Sequence, residues 1–267
     1  MAGNTKALRI RIKSVKSTEQ ITKAMELVAS SKIRRATEAM MKAREYTSVL
    51  ENSMALLMSD SESLKSPYMR KGGEERTRIV VVAGDRGLAG GYNANVFRLA
   101  ATFPDAQFIS VGKRSCEKYG NDINSSERYS FEDAYALAEE LCRDFAEGEF
   151  DRLGIISTRY VSVMTQTAEI RWILPLERKE DSEAHDIIFE PDHITVLNNA
   201  VREYVAGIIT SCIRESFACE VAARRMAMNS AGKNAKQMID DLQLEYNRAR
   251  QGAITQEITE IVAGSGN

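Results

Sequence analysis

Two long stretches almost free of helix breakers, one at each end, limit what this chain can fold into. All four prolines (Pro67, Pro104, Pro175, Pro191) lie between 67 and 191. No glycine occurs between Asn4 and Lys71, and only Gly207, Gly232 and Gly252 interrupt residues 192–263. From about residue 4 to 60, small or apolar residues recur at Ile21, Met25, Val28, Ala36, Ala39, Ala43, Tyr46, Leu50 and Leu57. Steps of three and four mark one face of a helix. The stripe shifts across polar Lys32, as a stutter would shift it. A helix of this length spans about 85 Å, well beyond ordinary globular helices.

The last stretch carries Leu197, Val201, Tyr204, Ile208, Cys212, Cys219 and Met226, then a weaker continuation through Met238, Leu242, Ile254, Ile258 and Ile261. It could exceed about 100 Å, with Gly207, Gly232 and Gly252 as candidate breaks. Two such helices can hide their stripes against each other, and a compact middle between them makes the pairing antiparallel.

That middle reads as α/β. Residues 77–83 (TRIVVVA) form a short continuous apolar run, typical of a strand buried on both faces. A glycine-rich turn and a helix at about 93–101 follow. Residues 107–111 and 154–157 read as further strands, and 160–174 alternates well enough for one or two more. Ser130 and Asp133 form a variant capping box for a helix that ends at Gly148. Strand–helix–strand order implies a small, largely parallel, Rossmann-like sheet. The fold class is thus α/β plus long helices: an antiparallel coiled coil of terminal helices with a small α/β domain between. The expected segments are a first helix at 1–60, a linker at 61–76, the α/β domain at 77–191 and a last helix at 192–267.

Charge is uneven. Residues 1–44 hold eleven Lys/Arg and three acids, a surplus of eight positive charges, although the whole chain is nearly neutral at −2. The segment from 195 onward is balanced, so the middle is acidic. A basic amino-terminal helix suggests an acidic partner: nucleic acid, an anionic membrane or an acidic protein surface. It carries no interleaved aromatics and no DNA-binding signature, and its apolar face is Ala-rich without Trp or Phe. A protein surface is the default. The amino terminus is Arg-rich and acid-poor like a mitochondrial transit peptide, but Glu19, Glu26 and the regular apolar pattern mark it as retained structure. No apolar run approaches the ~20 residues of a membrane helix. Cys116, Cys142, Cys212 and Cys219 form no CxxC motif and read as free thiols in a reducing cytoplasm.

Catalytic groups are thin. Residues 84–93 (GDRGLAGGYN) follow a strand and could cradle a phosphate. They match neither GxxxxGK[ST] nor GxGxxG, and a tight turn explains the glycines equally well. The two histidines, His185 and His193, lie close to an acidic run at 180–186 that reads as a solvated loop, with no partner spaced for a metal. Trp172 reads as core. The residues alone leave open an interaction protein, a Rossmann-like nucleotide-binding enzyme with helical dimerisation arms, and a coiled-coil nucleic-acid clamp.

Three motifs carry a resemblance. Residues 9–36 (RIRIKSVKSTEQITKAMELVASSKIRRA), the turn GDRGLAGGYN, and residues 224–264 (RRMAMNSAGKNAKQMIDDLQLEYNRARQGAITQEITEIVAG) resemble the gamma subunits of F-type ATP synthases. The match covers nearly the whole chain. Ala89 stands where a Cys is common, Cys219-Glu220 where Ser-Glu is usual, and the chloroplast type's paired-cysteine insert is absent. The resemblance implies a non-catalytic rotor shaft without cofactor or metal. Its coiled coil would enter a ring of alpha and beta subunits. Its α/β domain would join the epsilon subunit and the membrane c-ring, with no nucleic acid and no direct membrane insertion. Ring contacts would fall on Arg250, Gln251 and Thr255, with Lys23 and Met25 near the neck and Arg34 and Arg35 facing acidic beta loops. The place in the cell would be the cytoplasmic face of the plasma membrane, peripheral through the complex.

Overall fold

The structure, a computed structural model, describes residues 2–70, 73, 75–120, 122–178 and 189–264. Helix α1 spans Ala2–Met58 and helix α5 spans His193–Gly264. Between them lie β1 (Thr77–Val82), α2 (Tyr92–Ala100), β2 (Gln107–Val111), α3 (Lys113–Tyr119), α4 (Phe131–Glu147), β3 (Arg152–Tyr160) and β4 (Gln166–Leu174). Two short 3-10 turns, Ser61–Lys65 and Pro67–Met69, follow α1. The chain forms two compact units, residues 1–30 with 224–267 and residues 31–223. Their limits cut through both long helices, because residues 31–58 and 193–223 belong with the sheet.

In the larger unit the strand order is β2-β1-β3-β4. β1 pairs in parallel with both β2 and β3, while β4 returns antiparallel to β3. One sheet face (Val80, Val82, Leu153, Ile155) packs on α4 through Ala138, Leu141 and Phe145 and on α5 through Leu197, Val201, Val205 and Ile208. The other face (Ile79, Val81, Ile156) packs on α2 through Val96 and Ala100. Each fully buried Ile or Leu contributes about 1.5–3 kcal/mol. At β4, Trp172 is half-buried against Phe103 (ring centroids 5.8 Å apart), and the Arg152 guanidinium lies 3.5 Å over its ring.

The capping box on α4 is present in both directions, and Gly148 ends the helix in the left-handed region at φ 82°. The short α3 has no counterpart in the sequence reading. It begins after Gly112, whose φ is 95° and where a Cβ would lie 2.0 Å from the Ala83 carbonyl oxygen, so only glycine fits.

α5 passes without a break through Gly207, Gly232 and Gly252, the candidate break points. Gly207 serves close approach instead: a Cβ there would lie 2.4 Å from Leu50 Cδ1 on α1. The two helices run antiparallel in each unit. In the larger one, Arg44 meets Glu215, Thr47 meets Gly207, and the Leu57 carbonyl accepts from His193. In the smaller one, Glu26 meets Asn229 at 2.9 Å and Thr22 faces Gly232.

The stutter at Lys32 does not exist. The buried positions of α1 are Thr22, Ala29, Ala36, Met40, Thr47, Met54 and Leu57, bridged by half-buried Glu26, Ile33, Ala43 and Leu50. This is an unbroken three–four alternation, the seam of a coiled coil. Polar residues occupy seam positions, so counting only apolar ones shifts the register by one. Ile21 and Val28, assigned to the stripe from sequence, are 58% and 55% exposed. On α5 the same correction applies. The seam runs through Met228, Gly232, Ala235, Ile239 and Leu242, whereas Met238, Ile254, Ile258 and Ile261 are exposed.

Candidate interaction surface

The glycine-rich turn after β1 is built to hold itself. The Gly84 amide donates to Asn93 Oδ1 at 2.9 Å. The Asp85 carboxylate accepts from the Ser125 hydroxyl (2.5 Å) and from the amides of Lys113, Ser126 and Glu127. Burial alone would raise the Asp85 carboxyl, but these four donors outweigh it and hold it below the usual carboxylate range. Glu220 of α5 is buried directly behind Gly84, whose missing Cβ would lie 2.7 Å from the Glu220 carboxyl carbon. Two acidic side chains set against this turn oppose an anion, which argues against the nucleotide-loop reading.

His193 is buried, not part of a solvated loop. As the first residue of α5 it places Nε2 2.8 Å from the Leu57 carbonyl, one of the acceptors that the end of α1 leaves open. His185 and the acidic run at 180–186 lie outside the described residues. No group of three or more His, Cys, Asp or Glu among the described residues could hold a metal. All four cysteines are free and buried. Burial pushes the Cys142 and Cys212 thiols up, to about 12 and about 11, so they are poor nucleophiles. No helix among the described residues is long and apolar enough to cross a membrane.

The residues that the resemblance singles out lie at surfaces. In the smaller unit, Lys23 is exposed and Met25 half-buried on α1. Arg250, Gln251 and Thr255 are exposed on α5. Thr255 Oγ1 donates to the Gln251 carbonyl at 3.0 Å, so these two residues stack one turn apart. Arg34 and Arg35 are exposed on α1 in the larger unit, where Arg34 Nε lies 3.7 Å from Glu38. Part of the basic surplus is neutralised within that unit, through Lys32 with Glu127 and Arg44 with Glu215.

The sequence reading missed the outward-facing apolar residues of the smaller unit. On α1, Ile10, Ile21 and Leu27 are 58–64% exposed. On α5, Leu244, Ile258 and Ile261 are 56–70% exposed. Ile10 stands beside Arg9, Lys13 and Lys16 around an open hollow. A strict three–four seam that accepts Thr, Glu and Gly would have left these residues over as surface. Solvated helices rarely present so much apolar area unless a partner covers it.

A family model described as ATP synthase matches residues 4–266. The ATP synthase gamma chain of Ruminococcus albus is 40% identical over 282 aligned positions, covering 99% of this chain and 98% of that one. Among solved structures, a chain of the Euglena gracilis mitochondrial ATP synthase, from its OSCP/F1/c-ring in rotational state 3, superposes with a TM-score of 0.70 at 19% identity, covering 99% of this chain and 94% of that one. A chain of the Tetrahymena thermophila mitochondrial ATP synthase, from its central stalk and c-ring, gives 0.63 at 22% identity over 79% of this chain and 99% of that one. These structures share the fold. With the family model spanning nearly every residue and the Ruminococcus relative matched end to end, the chain belongs to the ATP synthase gamma family.

Proposed function

We propose that this chain is the rotating central shaft of an ion-translocating ATP synthase, a subunit that couples rotation to catalysis in its partners and performs no chemistry itself. One observation carries the reading: the helix pair of the smaller unit presents apolar and cationic residues outward, Ile10, Leu27, Ile258 and Ile261 among Arg9, Lys13, Lys23 and Arg250. A surface of this kind suits a shaft enclosed by other chains. Apolar contact is non-directional and permits turning, while cations steer the shaft among acidic loops.

On this reading the helix pair stands inside a ring of alpha and beta subunits. Arg250, Gln251 and Thr255 meet beta-subunit loops, Lys23 and Met25 lie at the neck, and Arg34 and Arg35 face acidic beta loops. The α/β body joins the epsilon subunit and the c-ring, and the complex sits on the cytoplasmic face of the plasma membrane. Each beta conformation binds a different side of the shaft, so turning the shaft changes which conformation is favoured at each site.

The test is co-expression of a tagged chain with the alpha and beta subunits of the same source. The expected product is an active ATPase with one copy of this chain per ring. A stable chain that purifies alone and ignores alpha and beta would sink the reading.

A further inference from the structure

At the end of β3 a single carboxylate ties three elements together. Glu215 Oε1 on α5 accepts from Arg44 Nη2 on α1 at 2.5 Å and from the Tyr160 amide at 2.7 Å. Arg44 Nη2 also donates to the Tyr160 carbonyl at 3.0 Å. The last residue of β3 is thus gripped at both its backbone N–H and its backbone C=O by an ion pair that joins the two long helices. The pair is half-buried, with side-chain exposures of 39% for Arg44 and 16% for Glu215. Neighbouring bonds continue the grip on α5: the Thr158 amide donates to Ser216 Oγ at 3.0 Å, and Cys219 Sγ approaches the Thr158 carbonyl at 3.4 Å.

What surrounds this knot is smooth. Ala36 and Met40 of α1 and Ala218 of α5 pack there with Tyr160 and Phe217. Small and flexible apolar side chains resist separation, but they offer little resistance to one helix sliding or rolling against another, because apolar contact has no preferred angle. Hydrogen bonds weaken steeply when bent below about 120°, so the knot resists the shear that its surroundings permit. A charged, doubly hydrogen-bonded joint is also among the stronger polar contacts available.

We propose that Arg44 and Glu215, closed on the Tyr160 backbone, are positioning residues that lock both long helices to the α/β body against twist, so that torque passes through this joint. The proposal rests on the shaft reading. It differs from ring contact in that none of these groups needs to touch another subunit. Loss of the joint leaves load-free turnover intact and lets the helices slip under load.

The experiment uses membrane vesicles bearing the complete complex of the source, with this chain as wild type, Glu215→Ala, Glu215→Gln, Arg44→Ala or Arg159→Ala. The readout is gradient-driven ATP synthesis divided by ATP hydrolysis in the same vesicles after the gradient is collapsed. A merely structural role lowers both rates together and leaves the ratio unmoved. Glu215→Ala and Arg44→Ala are expected to lower the ratio about five-fold, and Glu215→Gln, which retains an acceptor for the Tyr160 amide, about two-fold. Arg159→Ala removes an ion pair with Glu169 that joins only β3 to β4, and its ratio is expected to match wild type. Wild-type ratios in both Glu215→Ala and Arg44→Ala overturn the proposal, and if Glu215→Ala fails to assemble, Arg44→Ala decides alone. A wild-type chain that supports neither reaction overturns the shaft reading itself.

Discussion

Helix α5 lives in two environments. Over residues 197–222 it is enclosed on nearly every side, with Leu197, Val201, Val205, Ile208, Ile209, Ile213 and Val221 at most 1% exposed. Over residues 228–264 it buries only Met228, Ala235, Ile239 and Leu242, and its Ile258 and Ile261 face outward. The first segment has a sheet on one side and α1 on another, so all its faces are core. The second has one helical partner, so only a seam is core and the rest is available to other chains. One continuous helix therefore answers to two different rules of substitution.

The largest expected effect that tests this contrast is a pair of truncations. Ile208→Ala should cost about 2–5 kcal/mol in chemical denaturation followed by Trp172 fluorescence, since it empties a fully buried site. Ile258→Ala should stay within about 0.5 kcal/mol in the same assay. Similar costs at both sites would erase the distinction. Next come the glycines. Gly207→Ala should destabilise by about 1–3 kcal/mol because its methyl would lie against Leu50. Gly252→Ala has nothing within 4 Å and should stabilise by about 0.5–1 kcal/mol.

A pH titration sharpens the contrast further. The Asp85 carboxyl is depressed in the folded state, so its contribution is fully present above the unfolded value of 3.8 and drains as pH falls through the folded value. Asp85→Asn should lower stability modestly at neutral pH and flatten the acid loss of the larger unit below that value. An unchanged acid limb would mean that the four donors matter less than their geometry suggests. The smallest effect on stability is expected for Arg250→Ala, whose side chain is exposed; its signature is a fall in ATP synthesis in membranes carrying it. Normal synthesis would remove Arg250 from the ring-contact set.

Much of this architecture is legible in the sequence because glycine and proline are scarce where the helices run and clustered where they stop. The strand at 107–111 and the cap at Ser130 and Gly148 are readable for the same local reason. The helix faces are less legible. Thr22, Glu26 and Thr47 occupy the seam, and a search for apolar residues steps past them onto Ile21 and Val28. Helix α3 has seven residues and too short a pattern to carry periodicity. His193 lies beside charged neighbours in sequence, and its burial comes from the end of α1, a partner 136 positions away. The proposed contact residues rest on motif resemblance alone, since exposed apolar residues look like core until the core is known.

That bond between His193 and the Leu57 carbonyl brings the end of α1 beside the beginning of α5. Everything from 59 to 192 is then, in topological terms, an insertion into a helical hairpin, entering and leaving through neighbouring points. The pairing of the helices spans the longest loop in the chain, and its closure entropy falls once the inserted body has folded and brought its own ends together. Residues 193–223 of α5 form one wall of that body's core, so the inserted body and this part of the hairpin share one cooperative unit.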